Sequence, residues 1–134
     1  MEIGYCLFLV IWCLVINHME KQFNYKKGKY GENMAKEYLI KKSYFFIEAN
    51  FENKIGEIDL IMSDEDWLVF VEVKYKSDDR LGIPEEMISQ NKIWQVKRVA
   101  ESYLVERKIK HFEKFRIDAV CILGNEIRHY ENIE

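Results

Sequence analysis

One proline and six glycines in 134 residues leave no room for a collagen-like repeat or a chain dominated by linkers. Three cysteines are too few for a disulfide framework and read as thiols. Neither sign of charge dominates. Twenty Lys plus Arg stand against 23 Asp plus Glu, and the net charge of −3 excludes a uniformly basic glove for nucleic acid while allowing a local basic patch. Internal repeats and low-complexity segments are absent. What is there is 49% hydrophobic and 32% charged, enough apolar surface for a core and too much for a disordered chain. At this length one folded domain is expected.

The longest apolar run, residues 3–16 (IGYCLFLVIWCLVI), holds no charge. As a helix it reaches roughly 21 Å, short of the ~30 Å hydrocarbon thickness. A secretory signal fits poorly, because the leader carries Glu2 and the run leaves through Asn17, His18 and Met19 rather than through small residues. Two readings remain: a marginal anchor held by Lys21, Lys26, Lys27 and Lys29, or an extension ahead of a start at Met19. The second is favoured, which makes residues 1–18 an appendage to a domain at 19–134 and makes membrane contact through residues 3–16 the lesser expectation. A cytoplasmic location follows.

Within the body, Tyr30, Met34, Tyr38 and Leu39 recur at helical spacing, predicting an amphipathic helix over 25–43. Aromatic and β-branched residues predict strands over 44–51, 57–62 and 67–75, with the polar tetrad 63–66 turning the last two into an antiparallel hairpin. A loop is expected over 78–84 and a long helix over 84–108, with Ile93, Val96, Ala100, Tyr103 and Leu104 on its apolar face and Pro84 near its start. Strands over 115–123 and 126–130 follow, separated by Gly124-Asn125. The order helix, three strands, helix, two strands describes an α/β fold, a mixed sheet flanked by helices.

The hairpin carries the chemistry. Burying Ile58, Leu60 and Met62 together with Val69, Val71 and Val73 forces Glu57, Asp59, Glu72 and Lys74 onto the opposite side, whereas a one-residue slip puts carboxylates in the core. A Glu-x-Lys strand is ordinarily a solvated face with an ion pair. Here three carboxylates crowd onto interior strands, and such a set is destabilising unless a cation or a proton lies between them. Hard oxygen donors without His or Cys nearby in the sequence favour Mg²⁺ or Mn²⁺. An ion held by Asp59 and Glu72, with a carbonyl such as that of Val73, lowers the pKa of a bound water and neutralises charge on a phosphodiester. Lys74 then orients that water or stabilises the transition state.

Asp59 followed by Glu72-Val73-Lys74 resembles the PD-(D/E)XK signature of restriction-endonuclease-like nucleases. More specifically, GKYGENMAKEYL (28–39), GEIDLI (56–61), FVEVK (70–74) and FRIDAV (115–120) resemble, in order and spacing, the bacterial YraN family, itself similar to archaeal Holliday-junction resolvases. The resemblance implies a restriction-endonuclease-like fold from about Lys27 onward, Asp59, Glu72 and Lys74 as catalytic residues, and Glu32, Asp59 and Glu72 as ligands of a divalent ion. Glu57 falls on the family's GEID glutamate and is expected behind the ligands. Tyr75-Lys76 stands where family members commonly carry an Arg soon after EVK, which alters any bidentate phosphate contact.

Lys92, Lys97 and Arg98 are the candidates for a phosphate-tracking face, with Arg107, Lys108 and the lysines at 26, 27 and 29 adding to it, although such a helix face is as often simply solvated. Lys92 stands first among them, because the resemblance places a lysine there too. Trp94 beside that face is able to stack on a base, though core or rim packing is the commoner role. His111 and His129 read as surface residues, and Cys121 as a small buried hydrophobe. The function expected is a metal-dependent nuclease acting on DNA, branched or otherwise structured, with a homodimer left open. The alternatives are a nucleic-acid-binding module of the same fold with little turnover and a membrane-tethered interaction protein.

Overall fold

Ala35 and Leu39, four apart and fully buried with Met34 and Tyr38 beside them, give the end of helix α1 (Glu2–Lys41) the stripe that seats it on a sheet. The helix stops where Ser43 takes a left-handed backbone, φ 72°. The computed structural model describes residues 2–112 and 114–134; Met1 and Glu113 lie outside the described residues. The chain divides into two units, one ending at Tyr30 and a compact one over Gly31–Glu134. The boundary expected after residue 18 therefore falls inside an unbroken helix, as does the helix start expected at residue 25.

In the compact unit, β1 (Phe45–Glu52), β2 (Glu57–Asp64) and β3 (Trp67–Lys76) form an antiparallel meander. The β2–β3 hairpin is tighter than the tetrad suggested. Its strands pair through Asp64 and Trp67, leaving only Glu65 and Asp66 in the turn, with Glu65 at φ 51°. From β3 the chain crosses through α2 (Gln90–Glu106) to β4 (Lys114–Leu123), parallel to β3, and β5 (Glu126–Tyr130) closes the edge in the order β1-β2-β3-β4-β5. This is the mixed five-stranded α/β sheet expected, and it is consistent with the restriction-endonuclease-like fold. The long helix expected over 84–108 is divided. Pro84–Met87 forms a single 3-10 turn, Ile88 and Ser89 are extended, and α2 begins only after Ser89, whose hydroxyl accepts the Lys92 N–H at 3.2 Å.

Both faces of the sheet are covered. Leu60, Met62, Val69, Val71, Val73, Val120 and Ile122 pack with Ala35 and Leu39, while Ile61, Leu68, Phe70 and Ile117 pack with Val96, Val99, Ala100 and Tyr103 of α2. The face opposite the valines is thus a second core. Ile58 departs from its expected place: it packs with Phe51 and Val96 on the α2 face and not with Leu60 and Met62. The cause lies across the ladder, where Asn50 takes a left-handed backbone at φ 53° between the pairs Ala49–Leu60 and Phe51–Ile58, so the alternation of faces breaks there.

His129 is also not where a surface residue should be. Its side chain is 2% exposed, Nε2 lies 2.8 Å from Asp118 Oδ2, and Nδ1 lies 2.9 Å from Lys42 Nζ. A ring nitrogen facing an ammonium accepts, so Nε2 carries the proton and donates to Asp118. Asp118 also accepts from Arg116 Nε at 3.0 Å and from the Asn132 N–H at 3.0 Å; burial is the largest single effect and pushes its carboxyl up, but His129, Asn132 and Arg116 together outweigh it and hold the carboxyl below the usual range. Every charge in this buried cluster is answered.

In the first motif, Gly31 allows the helix to approach the sheet: a Cβ there meets Tyr75 Cβ at 2.6 Å, an atom fixed to the β3 backbone. Glycine to alanine in a helix interior ordinarily gains about 0.5–1 kcal/mol. Here overpacking outweighs that gain, and Gly31→Ala is expected to lose about 1–3 kcal/mol in urea unfolding. A more stable variant would show that this approach does not constrain the fold.

Candidate active site

The β2–β3 ladder runs from Asp64–Trp67 to Leu60–Val71 and ends there. The next two residues, Asp59 and Glu72, face each other across the opening. Asp59 Oδ2 accepts the Val73 N–H at 2.7 Å, so a side chain takes the place of the next backbone acceptor. Burial, reinforced by the Glu72 carboxylate and by Glu32, pushes the Asp59 carboxyl up to about 7, against the pull of the Val73 N–H and Lys74.

Glu72 is 2% exposed. Its Oε1 meets Lys74 Nζ at 2.9 Å and Lys92 Nζ at 3.5 Å, whereas Oε2 is buried with no hydrogen-bond partner among the described residues. A buried carboxylate oxygen without a donor carries a desolvation cost that a cation would remove. Glu32 and Glu57 are linked by one side chain: Asn50 Nδ2 donates to Glu32 Oε2 at 2.9 Å and to Glu57 Oε1 at 3.2 Å. Among the described residues no three His, Cys, Asp or Glu side chains are gathered into a ready metal centre. Two carboxylates, Asp59 and Glu72, form the donor pair, hard oxygen groups that suit Mg²⁺ or Mn²⁺. Glu32 stands near enough to act on Asp59 electrostatically and is held by Asn50.

The structure brings Asp59, Glu72 and Lys74 together, and Lys92, expected only on a phosphate-tracking helix face, joins them from the first turn of α2. Sequence reasoning did not anticipate how the rest of the helix face is used. Lys97 pairs with Glu134 at 2.9 Å, Arg107 with Glu48 at 2.7 Å, and the Arg98 guanidinium lies over the Trp94 ring at 5.0 Å. Lys76 is likewise engaged, donating to the carbonyls of Leu81 and Gly82 at 2.8 and 3.0 Å, so it is a loop clamp. Asn50 was missed altogether. Its signal was a lone asparagine in an aromatic strand, the residue type best suited to a left-handed backbone.

The fold is a single α/β domain with a mixed five-stranded sheet, consistent with the restriction-endonuclease-like class. The model of the uncharacterised protein family UPF0102 matches residues 31–122. UPF0102 proteins of Persephonella marina and Aliivibrio fischeri strain MJ11 are 40% and 41% identical over 110 and 118 residues, covering 82% and 85% of this chain and 94% and 96% of theirs. One from Clostridium botulinum is 36% identical over 107 residues, 80% of this chain and 87% of its own. The chain belongs to the UPF0102 (YraN) family, whose members here come from bacteria.

The Asp59 environment sets the sign of a pH effect on stability without metal. Because the folded-state carboxyl titrates near 7 and the unfolded one near 3.8, its protonated form contributes stability that is complete below about pH 4 and lost as pH rises through 7. Asp59→Asn keeps an acceptor for Val73 and carries no charge, so in chelator-containing buffer at pH 8 it should be more stable than wild type by about 1–3 kcal/mol. The difference should close towards pH 4. Denaturant titrations at the two pH values check this, and equal stability at pH 8 would mean that the Asp59 charge costs nothing in the folded chain.

Proposed function

We propose that this protein is a metal-dependent phosphodiester hydrolase acting on DNA, on branched or otherwise structured forms, with its folded α/β unit in the cytoplasm. The observation that supports it most is Glu72: a buried carboxylate with one oxygen on Lys74 and the other orphaned, opposite Asp59 where the ladder ends. Asp59 and Glu72 would hold Mg²⁺ or Mn²⁺, which when bound supplies a more acidic water and neutralises phosphate charge. Hydrolysis joins a water oxygen to phosphorus and breaks the bond to one bridging oxygen, which leaves with a proton. Lys74 Nζ, beside Glu72, would stabilise the charge that grows on the phosphoryl oxygens, and Lys92 Nζ would contact the same or a neighbouring phosphate. Glu32 and Glu57, tied by Asn50, orient the approach to Asp59.

A second reading, a binding module of this fold with little or no turnover, is favoured by one feature: the two lysines on Glu72 Oε1 already offset its charge without metal. A single set of experiments separates the two. With Mg²⁺ or Mn²⁺, the nuclease reading expects a higher melting temperature, lost in Asp59→Asn. It also expects cleavage of at least one of duplex, single-stranded and four-way DNA, falling by about 10²–10³-fold in Lys74→Ala with metal binding kept. No metal-dependent melting shift and no cleavage of any form hands the site to the binding module.

A further inference from the structure

A groove of about 510 Å³ opens beside the candidate site, lined by Ile55, Ser89, Asn91, Lys92, Trp94 and Gln95. It shares Lys92 with that site, whose Nζ stands 3.5 Å from Glu72. None of its lining residues is acidic. Gln95 Nε2 donates to the Ile55 carbonyl at 2.8 Å, which ties the β1–β2 connection to α2 and fixes the groove's two walls. The Trp94 indole is 61% exposed, although α2 has a buried face ready to take an aromatic ring, and Arg98 stacks over it. A flat aromatic surface held by a guanidinium, one lysine from a phosphate-directed site, matches the chemistry of a nucleobase attached to its phosphate.

We infer that this groove holds one unpaired nucleobase, stacked on Trp94, next to the phosphate that Lys92 and Lys74 face. The inference rests on the proposed nucleic-acid reading and narrows it. A base inside a duplex offers only its edges, so a stacking platform demands a nucleotide already out of the helix, as at a fork, a flap or a junction.

Binding measured in Ca²⁺ by fluorescence anisotropy tests this without relying on turnover, with a fork carrying unpaired arms compared against a blunt duplex. Wild type should prefer the fork about tenfold, the order of one base–aromatic stack. Trp94→Ala should collapse that preference towards one, Trp94→Phe should retain most of it, and Lys92→Ala should weaken both forms. Circular dichroism confirms that the variants fold. Wild type without a fork preference, or a preference that persists in Trp94→Ala, overturns the inference while the nuclease reading stands on its cleavage assay. Wild type that binds neither form overturns both.

The N-terminal unit carries a separate inference, from different observations. Residues 3–19 hold no charged side chain, and large apolar groups from Ile3 through Leu9, Trp12 and Leu14 to Met19 are exposed all round the helix. The helix includes an 18-residue stretch long and apolar enough to cross a membrane, none of it buried, because it does not end at Ile16 as the apolar run alone suggested. A protein partner needs one apolar stripe, whereas a surface apolar in every direction needs a lipid solvent. Eighteen residues rise about 27 Å, and Lys21 is able to extend along the helix to the headgroups. Lys21, Lys26, Lys27 and Lys29 follow the stretch closely.

The geometry points to a bilayer-spanning anchor with the following residues on the cytoplasmic side. The full chain produced in bacteria should stay in the membrane pellet after alkaline carbonate, and protease should reach its C-terminal region only in inverted vesicles. Leu9→Lys with Ile11→Lys should release it to the supernatant. Recovery of the unsubstituted chain as a soluble protein, cleavage from the periplasmic side, or native protein that begins at Met19 overturns the anchor.

Discussion

Everything at the candidate site depends on one backbone N–H. Where the β2–β3 ladder ends at Leu60 and Val71, the Val73 N–H needs an acceptor, and the acceptor it finds is the Asp59 carboxylate at 2.7 Å. That bond keeps Asp59 pointing into the opening. It also brings Asp59 close enough to Glu72 for the second carboxylate to help hold its proton. Beside that opening, Asn50 of β1 turns left-handed, and Phe51 and Ile58 beyond it lie on the α2 face. The same asparagine holds Glu32 and Glu57 through its side chain.

Two buried polar clusters in this sheet make a useful contrast. Asp118 is met by Arg116, His129 and the Asn132 N–H, with Tyr44 and Asp64 answering Arg116 in turn. Such a network rigidifies the end of the sheet. Glu72 shares its burial and not its satisfaction, with two ammonium groups on one oxygen and, among the described residues, no hydrogen-bond partner on the other. A structural ion pair has no need of that asymmetry. Leaving a buried acceptor unmade costs about 1–3 kcal/mol, and a chain tolerates that most readily where a ligand later makes the bond.

The register of the hairpin was legible because strand periodicity is unforgiving: with Leu60 and Met62 opposite Val71 and Val69, no other pairing keeps Asp59 and Glu72 out of the same core. Ile58 was not legible, since its face depends on a backbone twist at Asn50 that only the paired strand enforces. His129 was misread for a related reason. Its partners are 11 and 87 positions away, and no local pattern marks a histidine that a distant lysine and aspartate will enclose. The division of the second helix was readable in principle, because Ser89 is a strong N-cap residue, but Pro84 offered an equally good start five residues earlier. The role of Lys92 was only half legible: helix periodicity placed it on a basic face, and the crossover geometry turned that face towards Glu72.

Charge bookkeeping over α2 bears on how such a site would recognise a polyanion. With a net charge of −3, the chain has no general attraction for nucleic acid. Lys97 and Arg107 are paired with Glu134 and Glu48, which leaves Arg98 over the Trp94 ring and Lys92 beside Lys74 on the Glu72 carboxylate. A handful of phosphate contacts releases few counterions and supplies little affinity that is indifferent to shape. Long uniform duplex is the form least able to compensate, because its bases are stacked away. A partner that presents a phosphate together with an exposed base uses both halves of the surface, the lysines and the Trp94 groove, and the weak general electrostatics then favours selectivity: little binds unless the local geometry is right.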